Sequence, residues 1–141
     1  MDKIEIHRDG ARPRIGVVVL NYFNFGVTIE CVTSLLSLEP SPELIVIVDN
    51  LSPNESLKIL NNSFRANDTV MVVSSKKNGG YSYGNNFGIR ILRERGVDAV
   101  IIATSDTKVR DTDLLLRFQA AMSKEIGIIG PRIIENGRDI N

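Results

Sequence analysis

Val70-Met71-Val72-Val73-Ser74-Ser75-Lys76-Lys77-Asn78-Gly79-Gly80-Tyr81-Ser82-Tyr83-Gly84-Asn85-Asn86-Phe87-Gly88-Ile89-Arg90-Ile91-Leu92 is the stretch on which the fold turns. A short apolar run, Val70–Val73, leads through a connection rich in glycine and asparagine into a helix-like run, Ile89–Leu92. Glycines let the connection, Lys77–Gly88, turn tightly and bring backbone N–H groups close to a ligand. Open α/β sheets bind ligands at this place, outside the carboxyl ends of their strands.

The same kind of apolar run recurs along the chain as Ile15–Leu20, Leu44–Val48, Ala99–Ala103 and Ile126–Ile129. Each is strand-length, rich in β-branched residues and continuous rather than alternating, the pattern of a strand covered on both faces. Helix-like segments separate the runs. The alternation predicts an α/β fold with a mostly parallel central sheet, helices on both faces and right-handed crossovers. Residues 1–13 read as a flexible polar leader, and residues 14–141 as one domain with enough chain for a core.

Helix punctuation agrees. Ser52-Pro53-Asn54-Glu55 predicts a capped start with Ser52 at the N-cap. Tyr83, Phe87 and Ile91 fall on one stripe of the next helix, which should close at Arg93, Arg95 and Gly96. Asp111 is the expected cap of a last helix whose Leu114, Leu115, Phe118 and Met122 face the core. Ile133–Ile140 reads as a strand, an Asn136-Gly137 hairpin turn and the start of a return strand. The chain stops at Asn141, so the expectation is an interrupted fold in which that return strand does not pair properly.

Composition narrows the function classes. Apolar residues make up 43% and charged residues 24%, as in an ordinary soluble domain. Seventeen basic and seventeen acidic side chains cancel, so no global field favours nucleic acid or an anionic membrane. The one cysteine, Cys31, reads as a buried helix thiol in a reducing compartment. The start of the chain is no signal peptide and no run is long enough to span a bilayer, which predicts a cytoplasmic protein.

Four strand ends are polar: Leu20-Asn21-Tyr22, Asp49-Asn50, Lys76-Lys77 into Asn78-Gly79-Gly80, and Thr104-Ser105-Asp106-Thr107. A parallel sheet gathers them on one edge, which makes a candidate nucleotide site. Singly, each has a plainer reading. Asp49 serves equally as a turn residue, Ser52 reads first as a cap, and Tyr81 and Tyr83 read first as packing residues. Asp106, between Ser105 and Thr107, is the best cation ligand, because Mg²⁺ is commonly held by one or two carboxylates plus substrate phosphates.

Other nucleotide chemistries lack their motifs. The first turn, Asn21-Tyr22-Phe23-Asn24-Phe25-Gly26, is not G-x-G-x-x-G, and no G-x-x-x-x-G-K-[ST] occurs. A flavodoxin-like phospho-acceptor domain would carry acidic residues where Asn21 stands. His7, the only histidine, lies in the leader, which excludes histidine-based triads and histidine-rich metal sites.

Val17–Tyr22, Ile45–Ser52, Asn78-Gly79-Gly80 with Gly84-Asn85-Asn86-Phe87-Gly88, Ser105-Asp106-Thr107 and Ile128-Ile129-Gly130-Pro131-Arg132-Ile133 follow one another in an order that resembles family 2 glycosyltransferases, in particular the bacterial rhamnosyltransferase-like branch. The resemblance runs from about residue 14 to the end. It implies a GT-A fold, Rossmann-like, whose amino-terminal half binds a nucleoside-diphosphate sugar (dTDP-, UDP- or GDP-linked) with Mg²⁺ or Mn²⁺. Leu20, Asn21, Tyr22 and Asp49 would line the base and ribose pocket, with Asn78, Gly80 and Asn85 on the other side. Ser105 and Asp106 would lie at the diphosphate, Asp106 matching the metal-binding end of the family's D-x-D motif.

Thr104 replaces the first acidic residue of that motif. The family's acceptor half, with its base for inverting transfer, has no counterpart here, so no catalytic residue is assigned. The implied acceptor is a saccharide or a lipid-linked one, used in surface polysaccharide assembly at the inner face of a membrane. A donor-binding fragment of an enzyme is the first reading. A non-catalytic nucleotide-sugar-binding or assembly module, with an exposed flank favouring homo-oligomers, is the alternative.

Overall fold

A computed structural model describes residues 12–123 and 125–140. Most of the leader, with His7, lies outside the described residues. The elements are β1 (Ile15–Asn21), α1 (Phe25–Leu36), β2 (Leu44–Asp49), α2 (Ser56–Phe64), β3 (Val70–Ser74), α3 (Gly80–Glu94), β4 (Ala99–Thr104), α4 (Leu114–Ala121), β5 (Ile134–Glu135) and β6 (Arg138–Asp139).

The first four strands form one parallel sheet in the order β3-β2-β1-β4. Both faces of its centre are covered. Val17, Val19, Ile45 and Ile47 pack on Cys31, Val32 and Leu35 of α1, Leu60 and Phe64 of α2, and Leu115 of α4. Val18, Val46 and Val48 pack with Leu92 of α3 on the opposite face. Burial of each such aliphatic side chain contributes about 1.5–3 kcal/mol. This explains why the strands are continuously apolar rather than alternating.

Helix α3 lies across the sheet through its small residues. A Cβ at Gly88 would stand 2.7 Å from Val18 Cγ1 and 3.1 Å from Val48 Cγ2, and one at Gly84 would meet Leu20 Cδ1. Leu92 sits over Gly16, so α3 runs antiparallel to β1 and directly above it. Its inner face is therefore Gly84, Gly88 and Leu92, with Asn85 beside them. The expected Tyr83-Phe87-Ile91 stripe is half-buried on the flank. The helix also begins at Gly80, so most of the expected Gly/Asn loop is helical. Two of its glycines serve helix–sheet contact rather than a ligand cradle. The helix closes as read, with Arg95 at the C-cap and Gly96 at φ 73.

Three other expectations change. Ser52 does not cap α2, which starts at Ser56 after Glu55 and has no side-chain cap; Ser52 is held by Asp49 instead. Asp113, not Asp111, precedes α4, whose Leu115 is buried and whose Leu114, Phe118 and Met122 pack beside the core as expected. The run Ile126–Ile129 is not a strand. Gly127, Gly130 and Pro131 interrupt it, no neighbouring strand pairs it, and Ile128 is 94% exposed.

The Asn136-Gly137 hairpin forms, with φ 50 and φ 76 at its turn. The return strand, expected not to pair, does so: Ile134 faces Asp139, Glu135 faces Arg138, and Arg132 Nε lies 2.7 Å from Asp139 Oδ2. Among the described residues no helix is long and apolar enough to cross a membrane.

Candidate functional site

Parallel register aligns the carboxyl ends of the strands. Asn21 pairs with Asp49, Asp49 with Ser74, and Leu20 with Thr104. Two polar networks, one buried and one reaching the surface, are built on that edge.

The first joins β1 to β2. Asp49 is 1% exposed; its Oδ1 accepts from Asn21 Nδ2 at 2.7 Å and from Ser52 Oγ at 2.6 Å, and its Oδ2 accepts from the Ser52 N–H at 3.0 Å. Asn21, fully buried, accepts from Thr28 Oγ1 at 2.7 Å. Asn21 and Asp49 thus satisfy each other and form a floor, rather than presenting free polar atoms at the surface.

The second joins β2 to the start of α3. Asn50 Nδ2 donates to Asn78 Oδ1 at 2.9 Å, and Asn78 Oδ1 also accepts from the Gly80 N–H at 3.2 Å. Ser75 Oγ lies 3.1 Å from Asn50 Oδ1. Asn78 and Gly80 are therefore brought together, with Asn50 as the link. Lys77 Nζ stands 5.1 Å above the Tyr83 ring on the same side.

Asn85 differs from both groups. It is 3% exposed, and neither its Oδ1 nor its Nδ2 has a hydrogen-bond partner. An orphaned buried amide costs free energy, so a native one calls for an explanation. Leu20 is half-buried under Gly84, and Tyr22 is 52% exposed at the rim.

The β4 end is a tight turn. The Thr107 N–H donates to the Thr104 carbonyl at 3.0 Å and the two threonine hydroxyls lie 2.8 Å apart, which leaves Asp106 exposed and Ser105 half-buried. Asp106 and Ser105 share the edge with the two networks but make no hydrogen bond to them. Among the described residues no cluster of three or more His, Cys, Asp or Glu side chains is placed to hold a metal.

Beneath this turn, Cys31 Sγ donates to the Thr104 carbonyl at 3.6 Å. Burial, with the Asp106 charge as a smaller cause, pushes the Cys31 thiol from 9.0 up to about 11. The folded thiol keeps its proton where the unfolded one loses it. This stabilisation is complete below pH 9 and fades as pH climbs through 11. Between those values wild-type stability should fall more steeply than that of Cys31→Ala, by up to about 1.4 kcal/mol per pH unit in urea titrations. Equal slopes would show the thiol to be solvated.

Sequence reasoning missed the roles of Ser52, Asn50 and Phe23. The Asp49-x-x-Ser52 spacing was a usable signal, since an Asx side chain often binds its own backbone a few residues on. Nothing local marked Phe23 and Leu51, which adopt φ 68 and φ 58. Bulky side chains rarely enter that region, and each costs about 1–2 kcal/mol.

Comparison with known proteins bears on the whole edge. The family model described as Glycosyl transferase family 2 matches residues 16–141. The low-salt glycan biosynthesis hexosyltransferase Agl10 of Haloferax volcanii is 28% identical over 121 residues, which is 85% of this chain and 36% of that protein. The mannosyltransferase PcManGT of Pyrobaculum calidifontis, solved with GDP-Man and Mn²⁺, superposes with a TM-score of 0.66 at 19% identity, covering 82% of this chain and 34% of its own. S. aureus TarS (1-349) gives a TM-score of 0.60 at 21% identity, covering 76% of this chain and 31% of its own. The chain thus spans about a third of the length of the relatives it matches. The structural likenesses establish the GT-A nucleotide-sugar transferase fold.

Proposed function

Because the chain belongs to glycosyl transferase family 2, we propose that the carboxyl edge of β1–β4 binds a nucleoside-diphosphate sugar for transfer to an acceptor hydroxyl. The observation that carries this reading is one sheet edge holding both a closed polar floor, Asn21–Asp49, and an exposed carboxyl, Asp106.

Tyr22 offers an exposed ring to the base above that floor. Leu20 lies below it, and Asn78, Gly80 and Asn85 form the opposite wall. The Asn85 amide backs that wall with an unpartnered donor and acceptor, both closed to solvent.

Asp106, with Ser105 beside it, is the carboxyl available to a hard cation. Its single exposed carboxyl fits Mg²⁺ or Mn²⁺, which complete their shells with phosphate oxygens and water. When bound, such an ion neutralises charge building on a departing diphosphate. In such a transfer the acceptor hydroxyl bonds to the anomeric carbon as the bond to the diphosphate breaks on the opposite face. The hydroxyl proton passes to a base, a role assigned to none of the described residues. The chain's own contribution is to hold the donor. The dTDP-rhamnose of the resembling branch and the GDP-mannose of the solved neighbour are the donors to test first, with UDP-sugars beside them.

Titration of the wild type with these nucleotide sugars, with and without Mn²⁺, should show binding strengthened by the ion. Asp106→Ala should bind about tenfold more weakly and lose the Mn²⁺ dependence. Its unfolding midpoint should stay put, because the side chain is exposed. No nucleotide response in the wild type, or an unchanged Asp106→Ala titration, would remove the reading.

A further inference from the structure

The turn after β1 is held against ordinary backbone preference. Phe23 at φ 68 is 58% exposed, so core packing does not compensate its strain. Within the turn the Asn24 N–H donates to the Tyr22 carbonyl at 2.8 Å, and the Phe23 peptide itself is held by polar groups of another loop. The Phe23 N–H donates to Ser52 Oγ at 2.8 Å, and its carbonyl accepts from Asn54 Nδ2 at 2.8 Å. The Asn54 amide is itself oriented by Ser56, whose N–H and hydroxyl lie 3.1 and 2.6 Å from Asn54 Oδ1, and the same hydroxyl lies 3.2 Å from the Phe23 carbonyl. Ser52 then donates to Asp49 Oδ1 at 2.6 Å.

The β2–α2 loop therefore grips both sides of one residue in the β1–α1 loop and ties it to the buried floor. Strained residues persist where their surroundings over-determine them, and they gather where ligands bind. Two rings adjacent in sequence, Tyr22 and Phe23, are exposed in the gripped turn.

We infer that Ser52 and Asn54 are positioning residues for donor binding: by gripping the Phe23 peptide they hold the Tyr22 and Phe23 rings out for the flat face of the nucleobase. This rests on the nucleotide-sugar reading above. Preorganised aromatic surface binds a planar group without an ordering cost at the moment of binding.

The test compares wild type, Ser52→Ala, Ser52→Thr and Asn54→Ala by calorimetry below each variant's unfolding midpoint, using UDP, dTDP and GDP with Mn²⁺. Ser52→Ala and Asn54→Ala should weaken nucleotide binding about tenfold, whereas Ser52→Thr, which keeps the hydroxyl, should stay within roughly twofold of wild type. Affinity for inorganic pyrophosphate with Mn²⁺ should not move, because the grip acts on the base.

A purely structural grip would lower the unfolding midpoint and leave nucleotide affinity unchanged, and that result overturns the proposal. Equal losses for nucleotide and pyrophosphate overturn it as well. If Ser52→Ala does not fold, Asn54→Ala combined with Ser56→Ala decides, since together they release the carbonyl side alone. A wild type that binds no nucleotide would instead show that the functional reading had failed, and this proposal with it.

Discussion

Asp49→Ala is expected to cost about 3–4 kcal/mol of folding stability, the largest effect of any single substitution considered. The side chain is 1% exposed and accepts three hydrogen bonds. Its removal leaves the buried Asn21 amide with only a long 3.4 Å contact to Ser52 Oγ and leaves the half-buried Ser52 hydroxyl and N–H without their acceptor. Each unmatched buried group costs about 1–3 kcal/mol, less whatever a water entering the space restores. Asp49→Asn should cost about half as much, because one acceptor oxygen survives while an NH₂ group confronts a donor. Urea unfolding of the three proteins measures this directly. A loss under 1 kcal/mol for Asp49→Ala would mean that the floor is open to water.

Gly88→Ala should be the next most damaging, at about 2 kcal/mol net. Alanine is normally favoured over glycine within a helix by about 1 kcal/mol, so the sign itself is informative. The new methyl group would lie 2.7 and 2.9 Å from the two γ carbons of Val18 and 3.1 Å from Val48. Both valines are fully buried in central strands, and their branched side chains have few rotamers to retreat into. Gly84→Ala is the control. Its methyl meets the end of the flexible, half-buried Leu20, so the helix preference and the contact should cancel to within about 0.5 kcal/mol. If both substitutions stabilise, α3 stands farther from the sheet than the glycine contacts imply.

The fold was largely legible in the chain because doubly covered strands write themselves as unbroken apolar runs. Four of the five runs are strands of the sheet within a residue or so of their expected ends. Ile126–Ile129 misled because β-branching records local preference, whereas a strand also needs a partner. The same limit governs the glycines of α3. Their composition pointed to a loop, while the cause of their presence is Leu20 and Val18, 64 and 70 residues earlier in the chain and invisible to any local window.

At the candidate site the residue types at each strand end were readable, since a parallel topology alone gathers them. Which oxygen each would hold was not. Ser52 has the signature of a cap, but the chain enters α2 only at Ser56, leaving its hydroxyl to the Asp49 carboxyl and the Phe23 peptide. The left-handed conformation of Phe23 is held by those contacts rather than favoured by the residue itself.

The glycine face of α3 also carries a geometric consequence for recognition. With no helix side chain set against Leu20 and Val18 at Gly84 and Gly88, the helix backbone rests low on β1. Its first turn, from Gly80, is tied to the end of β2 through Asn78 and Asn50. The placement of that end of the helix is thus governed from underneath, by atoms that are missing. A larger residue at either glycine would lift it without altering any group on the sheet edge itself.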